Sequence, residues 1–156
     1  MCVRRNSDHK AGLNDQGISF FLPNGTWLQP PGYVHAMIAS SFHPLAINFT
    51  ATAAAGGACP DVSAQVSADG KEVVVRLVNT KDAPMLVSVA SSGPGSADGK
   101  LTAASFSTIW WPDLKGANTP GEPTKIAPTE VQPADATQHP LDPQSYTTLV
   151  LRAHQA

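Results

Sequence analysis

Residues 61–79 read DVSAQVSADGKEVVVRLVN, and this stretch decides the class of fold. Apolar residues alternate with polar ones through its first half, and a period of two resumes after Asp69-Gly70. Alternation of this kind predicts strands with one buried face. An Asp-Gly pair supplies the positive φ angles that a two-residue type I′ turn requires. The stretch therefore predicts a β-hairpin that turns at Asp69-Gly70.

Short strand patterns continue on both sides of the hairpin. The further candidate strands are residues 45–49, 85–90, 101–111 and 146–151. In the last of these, odd-numbered and even-numbered residues are expected to face opposite sides. Prolines recur between Pro112 and Pro143, and each proline removes a ladder donor, so we expect extended wrapping segments there. Several short strands are best buried as two packed sheets, which predicts a mainly β fold, a β-sandwich over residues 44–156.

The first 43 residues show a different pattern. Residues 18–22 are apolar and strand-like, and the turn sequence Pro23-Asn24-Gly25 follows them. Val34, Ile38 and Phe42 recur at helical spacing, after prolines that a first helical turn tolerates. We expect one substantial helix, over residues 31–42, ended by Pro44.

Composition excludes several classes of partner. The chain has 156 residues, ten Lys/Arg against twelve Asp/Glu, and no block of like charge, so no nucleic-acid partner is expected. No apolar run approaches the roughly 20 residues that span a membrane, so no membrane partner is expected either. His35 and His43 have no third ligand at a metal-binding spacing, and no metal or cofactor is expected.

Processing signals are few. Residues 1–6 lack the apolar core of a signal peptide behind their basic residues. Asn24 and Asn48 each begin a glycosylation sequon, which hints at a parent protein in the secretory pathway. Cys2 and Cys59 are expected to be free thiols, although the sequence leaves a disulfide between them open.

Trp27 and Gln29 form the one pattern that suits a ligand. An indole face stacks on the C–H groups of a sugar, and a primary amide two residues later both donates and accepts hydrogen bonds to hydroxyls. The alternative is that Trp27 packs in the core and Gln29 is a polar residue near the helix start.

Residues 14–35, NDQGISFFLPNGTWLQPPGYVH, resemble the end of the catalytic barrel in α-L-arabinofuranosidases of glycoside hydrolase family 51. Weaker similarity continues through residues 73–80, 117–128 and 143–149. The resemblance implies a jelly-roll-like, carboxy-terminal β-sandwich preceded by the last strand/helix unit of a (β/α)8 barrel. Residues 1–43 would be that unit, and residues 44–156 the sandwich.

The resemblance also implies a function. Family members remove terminal arabinofuranosyl groups from arabinan and arabinoxylan with retention, using two Glu on earlier barrel strands that map to no residue of this chain. The resemblance also implies that Gln29 contacts the sugar, with Trp27 beside it. The implied partners are an arabinofuranosyl-containing glycan, bound through the parent enzyme, and the rest of the barrel.

The carboxylates of the chain are consistent with the expectation that neither catalytic Glu maps to it. Hydrolysis of a glycoside needs two carboxyl groups that flank the bond. Only three Glu are present, and Glu72, Glu122 and Glu130 are all expected to be solvated charges. The chain alone is therefore predicted to be inactive.

A second hypothesis is a free-standing, non-catalytic β-sandwich that binds carbohydrate or stabilises a partner domain. Trp110 and Trp111 would be its sugar-binding side chains, whereas the competing interpretation places them in core or interdomain packing. A third is a chain that pairs with a separately made barrel.

Overall fold

The computed structural model describes residues 3–5, 17–53, 57–90, 101–113, 115–131 and 138–153. These residues form β1 Val3–Arg5, β2 Ser19–Leu22, β3 Gly25–Leu28, α1 Pro30–Ser40, β4 Leu45–Ala46, β5 Asp61–Val66, β6 Glu72–Asn79, β7 Met85–Val87, β8 Leu101–Ile109, β9 Thr129–Val131, β10 His139–Leu141 and β11 Ser145–Ala153. Eleven strands and one helix of 11 residues make up the regular structure of the described residues, which confirms the mainly β class.

Most strands belong to one antiparallel sheet. Its six strands run in the order β4-β5-β6-β11-β8-β9, and β10 and β7 pair as a second, two-stranded sheet. The predicted hairpin is the β5–β6 pair, in which Val66 lies opposite Val73. The closing strand β11 lies between β6 and β8, at the centre of the large sheet. In the described residues between β8 and β11, the strands are short, as the prolines predict.

The turn of the hairpin differs from the prediction. Gly70 has φ +72°, but Asp69 is not among the described non-glycine residues with positive φ, so a type I′ turn is excluded. Residues 68–71 instead form a longer connection, in which Gly70 N–H donates to Ser67 O at 2.9 Å. Ser67 Oγ donates to Asp69 Oδ1 at 2.6 Å, and Lys71 N–H donates to the same oxygen at 3.2 Å. These hydrogen bonds, the one from Ser67 foremost, lower the pKa of Asp69.

The main core lies between the two sheets. Cross-strand register places Leu149 of β11 opposite Val75 on one side and Phe106 on the other. All three side chains are buried, and Leu141 of β10 closes the cluster from the small sheet. The predicted alternation in β11 is confirmed, because Leu149 and Leu151 face this core while Tyr146 packs on the opposite side.

Helix α1 covers part of the other face of the large sheet. Met37 of the helix packs with Ile109 and Ile126, and Tyr33, Val34, Trp111 and Tyr146 surround them. Strand β6 is consequently buried on both faces, which explains its near-continuous apolar run.

The helix is shorter than predicted. It ends at Ser40 rather than at Phe42, and the Ser41 hydroxyl donates to Met37 O at 2.7 Å. The Ser41 hydroxyl thereby satisfies a backbone carbonyl of the last turn, at the point where the regular helix ends. Beyond the helix, Phe42 is 62% exposed. The strand expected at residues 45–49 is reduced to β4, which has only two residues.

Arg76 connects the end of the helix to the sheet. Its guanidinium is buried and donates to Ser41 O at 2.8 Å and to Gln65 Oε1 at 2.7 Å. Carbonyl groups at a helix carboxy terminus carry partial negative charge, so this position favours a cation. The arginine therefore fixes α1 over β5 and β6.

Replacement of Arg76 by methionine tests this connection. Arg76→Met keeps the side-chain length but removes every donor, so we expect the free energy of unfolding to fall by about 1–2 kcal/mol. Amide exchange in the last turn of α1 should accelerate more than in β11. Arg152→Met is the matched control, because the Arg152 side chain is 66% exposed and pairs only with Glu72 among the described residues. Equal exchange rates in α1 for both variants would contradict the proposed connection.

Candidate functional site

The predicted sugar-contact residues lie at the end of a third, three-stranded sheet, in the order β1-β2-β3. Strands β2 and β3 form an antiparallel hairpin that places Phe20 opposite Trp27, and their rings stack with centroids 5.7 Å apart. Gln29 follows β3 directly and precedes α1. Its backbone N–H donates to Ile18 O at 3.0 Å, which fixes the chain where the helix begins.

Both side chains converge on one backbone group. Trp27 Nε1 donates to Asn118 O at 3.1 Å, and Gln29 Nε2 donates to the same oxygen at 2.7 Å. Asn118 N–H in turn donates to Gln29 Oε1 at 3.0 Å, so amide and backbone form a reciprocal pair. Trp27 and Gln29 are only 5% and 6% exposed. The structure thus brings the two predicted residues together, against a segment 89 residues further along the chain.

The side chain of Asn118 completes this arrangement, which we call the Asn118 clamp (Trp27, Leu28, Gln29, Asn118 and Ile126). Its Nδ2 donates to Leu28 O at 2.8 Å and to Ile126 O at 2.9 Å. Its Oδ1 accepts from Ile126 N–H at 2.7 Å. The residue is fully buried. The clamp therefore ties the turn between β3 and α1 to the proline-rich segment that follows β8.

The clamp leaves part of the Gln29 amide available. A primary amide has two N–H donors and two acceptor lone pairs, and the clamp uses one of each. The indole N–H of Trp27 is fully committed to Asn118. A sugar contact would accordingly use the second N–H or lone pair of Gln29, and this role stays a prediction.

A cleft opens beside the clamp. It has a volume of about 410 Å³ and lies between the start of α1 and the end of β8. Its lining includes Pro31, His35, Trp110, Trp111 and Tyr146. Trp111 is half-buried against Ile126, whereas Trp110 is 38% exposed. The two tryptophans therefore differ, because Trp111 serves packing and Trp110 faces the solvent.

Two of the three glutamates take part in ion pairs. Glu72 accepts from His43 Nε2 at 3.0 Å and from Arg152 Nε at 3.3 Å, while Glu122 pairs with Lys125 at 2.9 Å. Glu130 is exposed. The Glu122 pair is exposed and contributes little to stability, whereas Glu72 is half-buried and so less solvated than predicted.

The other predicted positions are exposed. Asn24 lies in the β2–β3 turn and Asn48 follows β4, so both side chains are accessible, and their glycosylation stays a prediction. Cys59 is a free, exposed thiol, and Cys2 lies outside the described residues. Within the described ranges no three His, Cys, Asp or Glu side chains group as metal ligands. No helix in the described part of the chain has the length and hydropathy to cross a membrane.

Comparison with known proteins places the fold. No family model matches the sequence, and no curated protein matches it. The GH51 α-L-arabinofuranosidase of Thermotoga petrophila RKU-1 matches 86% of this chain at 20% identity, with a TM-score of 0.64. The α-L-arabinofuranosidase of Thermotoga maritima, solved with arabinose, matches 87% at 18% identity, with a TM-score of 0.67.

A second glycoside hydrolase family shares the fold. The catalytic domain of GH30 xylanase C from Talaromyces cellulolyticus matches 97% of the chain at 16% identity, with a TM-score of 0.58. The chain spans 31% of the length of each Thermotoga enzyme. By fold, the chain thus resembles the β-sandwich part of these glycoside hydrolases. More narrowly, the chain has the fold of the carboxy-terminal part of GH51 α-L-arabinofuranosidases.

Proposed function

We propose that this chain is the carboxy-terminal part of a retaining glycoside hydrolase that removes terminal arabinofuranosyl groups from arabinan- and arabinoxylan-type glycans. The observation that carries the proposal is the extent of the structural match. Residues 44–156 are 113 of the 156 residues, so a match over 87% of the chain must extend into the first 43. The likeness therefore includes part of the segment that carries the barrel-like motif.

The three-stranded sheet β1-β2-β3 supports a barrel origin for the first 43 residues. Strand β1 pairs with β2 in parallel, with Val3 opposite Ser19. Parallel strands require a crossover connection, and a (β/α)8 barrel consists of such units. Residues 1–43 are on this proposal the last barrel segment, and residues 44–156 the sandwich.

The proposal divides the chemistry between two parts of the protein. Two carboxyl groups about 5 Å apart would perform the retaining reaction, and both would come from the rest of the barrel. This chain would contribute Gln29, whose remaining N–H donates to a sugar hydroxyl. Because the clamp already fixes the amide plane, binding would not have to order that side chain.

The test is to extend the coding sequence upstream of Met1. We expect an open reading frame that encodes further barrel strands and two Glu-bearing motifs. The longer protein should release 4-nitrophenol from 4-nitrophenyl α-L-arabinofuranoside, with retention of anomeric configuration by NMR, and the 156-residue chain should release none. In the longer protein, Gln29→Ala should lower kcat/KM by about 10-fold or more, as expected for a lost hydrogen bond to substrate.

Two results would contradict the proposal. One is turnover by the purified 156-residue chain without any other polypeptide. The other is an extended protein that folds, binds arabinofuranosides and leaves them intact. If the reading frame starts at Met1 and the encoded chain co-purifies with a separate barrel protein, the paired-chain hypothesis is favoured instead.

A further inference from the structure

We infer that the cleft between α1 and the end of β8 is an accessory carbohydrate-binding site, distinct from the sugar contact proposed for Gln29, which does not line the cleft. The choice of an arabinose- or xylose-containing glycan rests on the proposed function, whereas the site itself rests on the cleft. Its volume of about 410 Å³ falls within the range of small-ligand sites.

Aromatic and proline rings form one wall of the cleft. Trp110 presents an exposed indole, and Pro30 and Pro31, at the start of α1, line the same cleft. Indole faces suit the C–H faces of a sugar ring, and rigid rings lose little entropy on binding. The wall is therefore preformed for stacking.

Trp111 keeps this wall rigid. The Lys125 ammonium lies 5.7 Å from the centroid of its ring. Gly116 allows the following turn to close over the ring, since a Cβ at that position would lie 2.5 Å from Trp111 Cδ1. The segment that carries Trp110 is thus fixed by its neighbour rather than free to move.

Polar groups at the rim can bind hydroxyls. Asp113 Oδ1 accepts from Lys115 N–H at 2.9 Å, and no other bond to the carboxylate is found in the described part of the chain. Oδ2 is therefore available to a sugar hydroxyl. His35 is exposed at the same rim, and its ring can both donate and accept.

This combination favours a neutral, hydroxylated ligand over the other candidates. One carboxylate at the rim disfavours an anion. A purely apolar protein segment would leave the carboxylate of Asp113 without hydroxyl partners, which costs free energy when the group is covered. A saccharide satisfies both the ring wall and the rim.

The test titrates the 156-residue chain with short arabinan- and xylan-derived oligosaccharides, by calorimetry and by tryptophan fluorescence. We expect binding in the micromolar to millimolar range. Trp110→Ala should weaken it about tenfold, as expected for loss of a stacked aromatic ring. Asp113→Asn should weaken it at least about threefold while keeping the Oδ1 bond of the turn.

Leu86→Ala is the matched control, because Leu86 is 64% exposed on the small sheet, away from the cleft. It should leave affinity unchanged. If Trp110→Ala shifts the unfolding midpoint, the affinity of Asp113→Asn decides whether the cleft binds sugar. The Asp113 side chain is exposed and has no core contact, so its replacement does not disturb the fold. Absence of binding up to about 10 mM oligosaccharide would overturn the inference, as would equal affinity in Asp113→Asn and wild type.

One further outcome would also overturn it. If the chain binds the neutral apolar dye Nile red at Trp110 but no oligosaccharide, the cleft is an uncovered packing face. Arabinofuranoside hydrolysis by the extended protein is measured separately. Failure of the accessory site and failure of the proposed activity are therefore distinguishable.

Discussion

Asn118→Ala is expected to lower the free energy of unfolding by about 3–5 kcal/mol. The substitution removes the side chain that serves three backbone groups: Leu28 O, Ile126 O and Ile126 N–H. The residue is fully buried, so water does not readily replace these bonds, and each unsatisfied buried group costs about 1–3 kcal/mol. The loss is a large share of the stability of a domain of this size.

Urea denaturation, followed by circular dichroism and by tryptophan fluorescence, measures the effect. Trp27 is a direct reporter, since its indole N–H donates to Asn118 O. Asn48→Ala is the matched control, because the same residue type is exposed there and should change the stability by less than about 0.5 kcal/mol. A loss at Asn118 no larger than at Asn48 would show that the clamp does not hold the two segments together.

Leu149→Ala is expected to cost a similar amount, about 3–5 kcal/mol. Leu149 is fully buried at the centre of β11, with Val75 opposite it on one neighbouring strand and Phe106 on the other. Truncation removes apolar contacts and leaves a cavity that the strands on both sides prevent from collapsing. The two sheets of the sandwich should then separate at lower denaturant concentration.

The matched control is Leu86→Ala, because Leu86 is 64% exposed in β7. Its effect should stay within about 0.5 kcal/mol. Thermal unfolding of both variants beside the wild type provides the comparison. Equal midpoints for Leu149→Ala and Leu86→Ala would mean that the cluster between the sheets is not the main core.

Local patterns predicted the strands of the sandwich well. The hairpin of β5 and β6 and the two-sided alternation of β11 follow from periods of two within a few residues. Two of the wrong predictions coincide with a nearby hydroxyl, whereas nothing in the structure explains why the strand expected at residues 45–49 has only two residues. The hydroxyl of Ser67 binds Asp69 and accompanies a connection longer than the expected type I′ turn, and the hydroxyl of Ser41 accompanies an earlier helix end.

The site was predicted only in part. Trp27 and Gln29 stand out because they are two residues apart in a turn before a helix. Asn118 did not stand out by itself, although it lies in the Ala-Asn-Thr-Pro segment that resembles the arabinofuranosidase family. Nothing local marks it, because its partners Leu28 and Gln29 are about ninety residues away. The cleft at Trp110 likewise combines side chains from three distant segments.

The sequence by itself determined the mainly β class, the central hairpin, the single helix among the described residues and the exposed position of Glu122 and Glu130. All of these depend on periodicity and turn chemistry, which act between residues close in the chain. Only the tertiary structure decided that Arg76 binds the end of α1 and that Trp27 and Gln29 both bind Asn118. Such bonds join groups far apart in sequence, and they form only after burial removes the competing water.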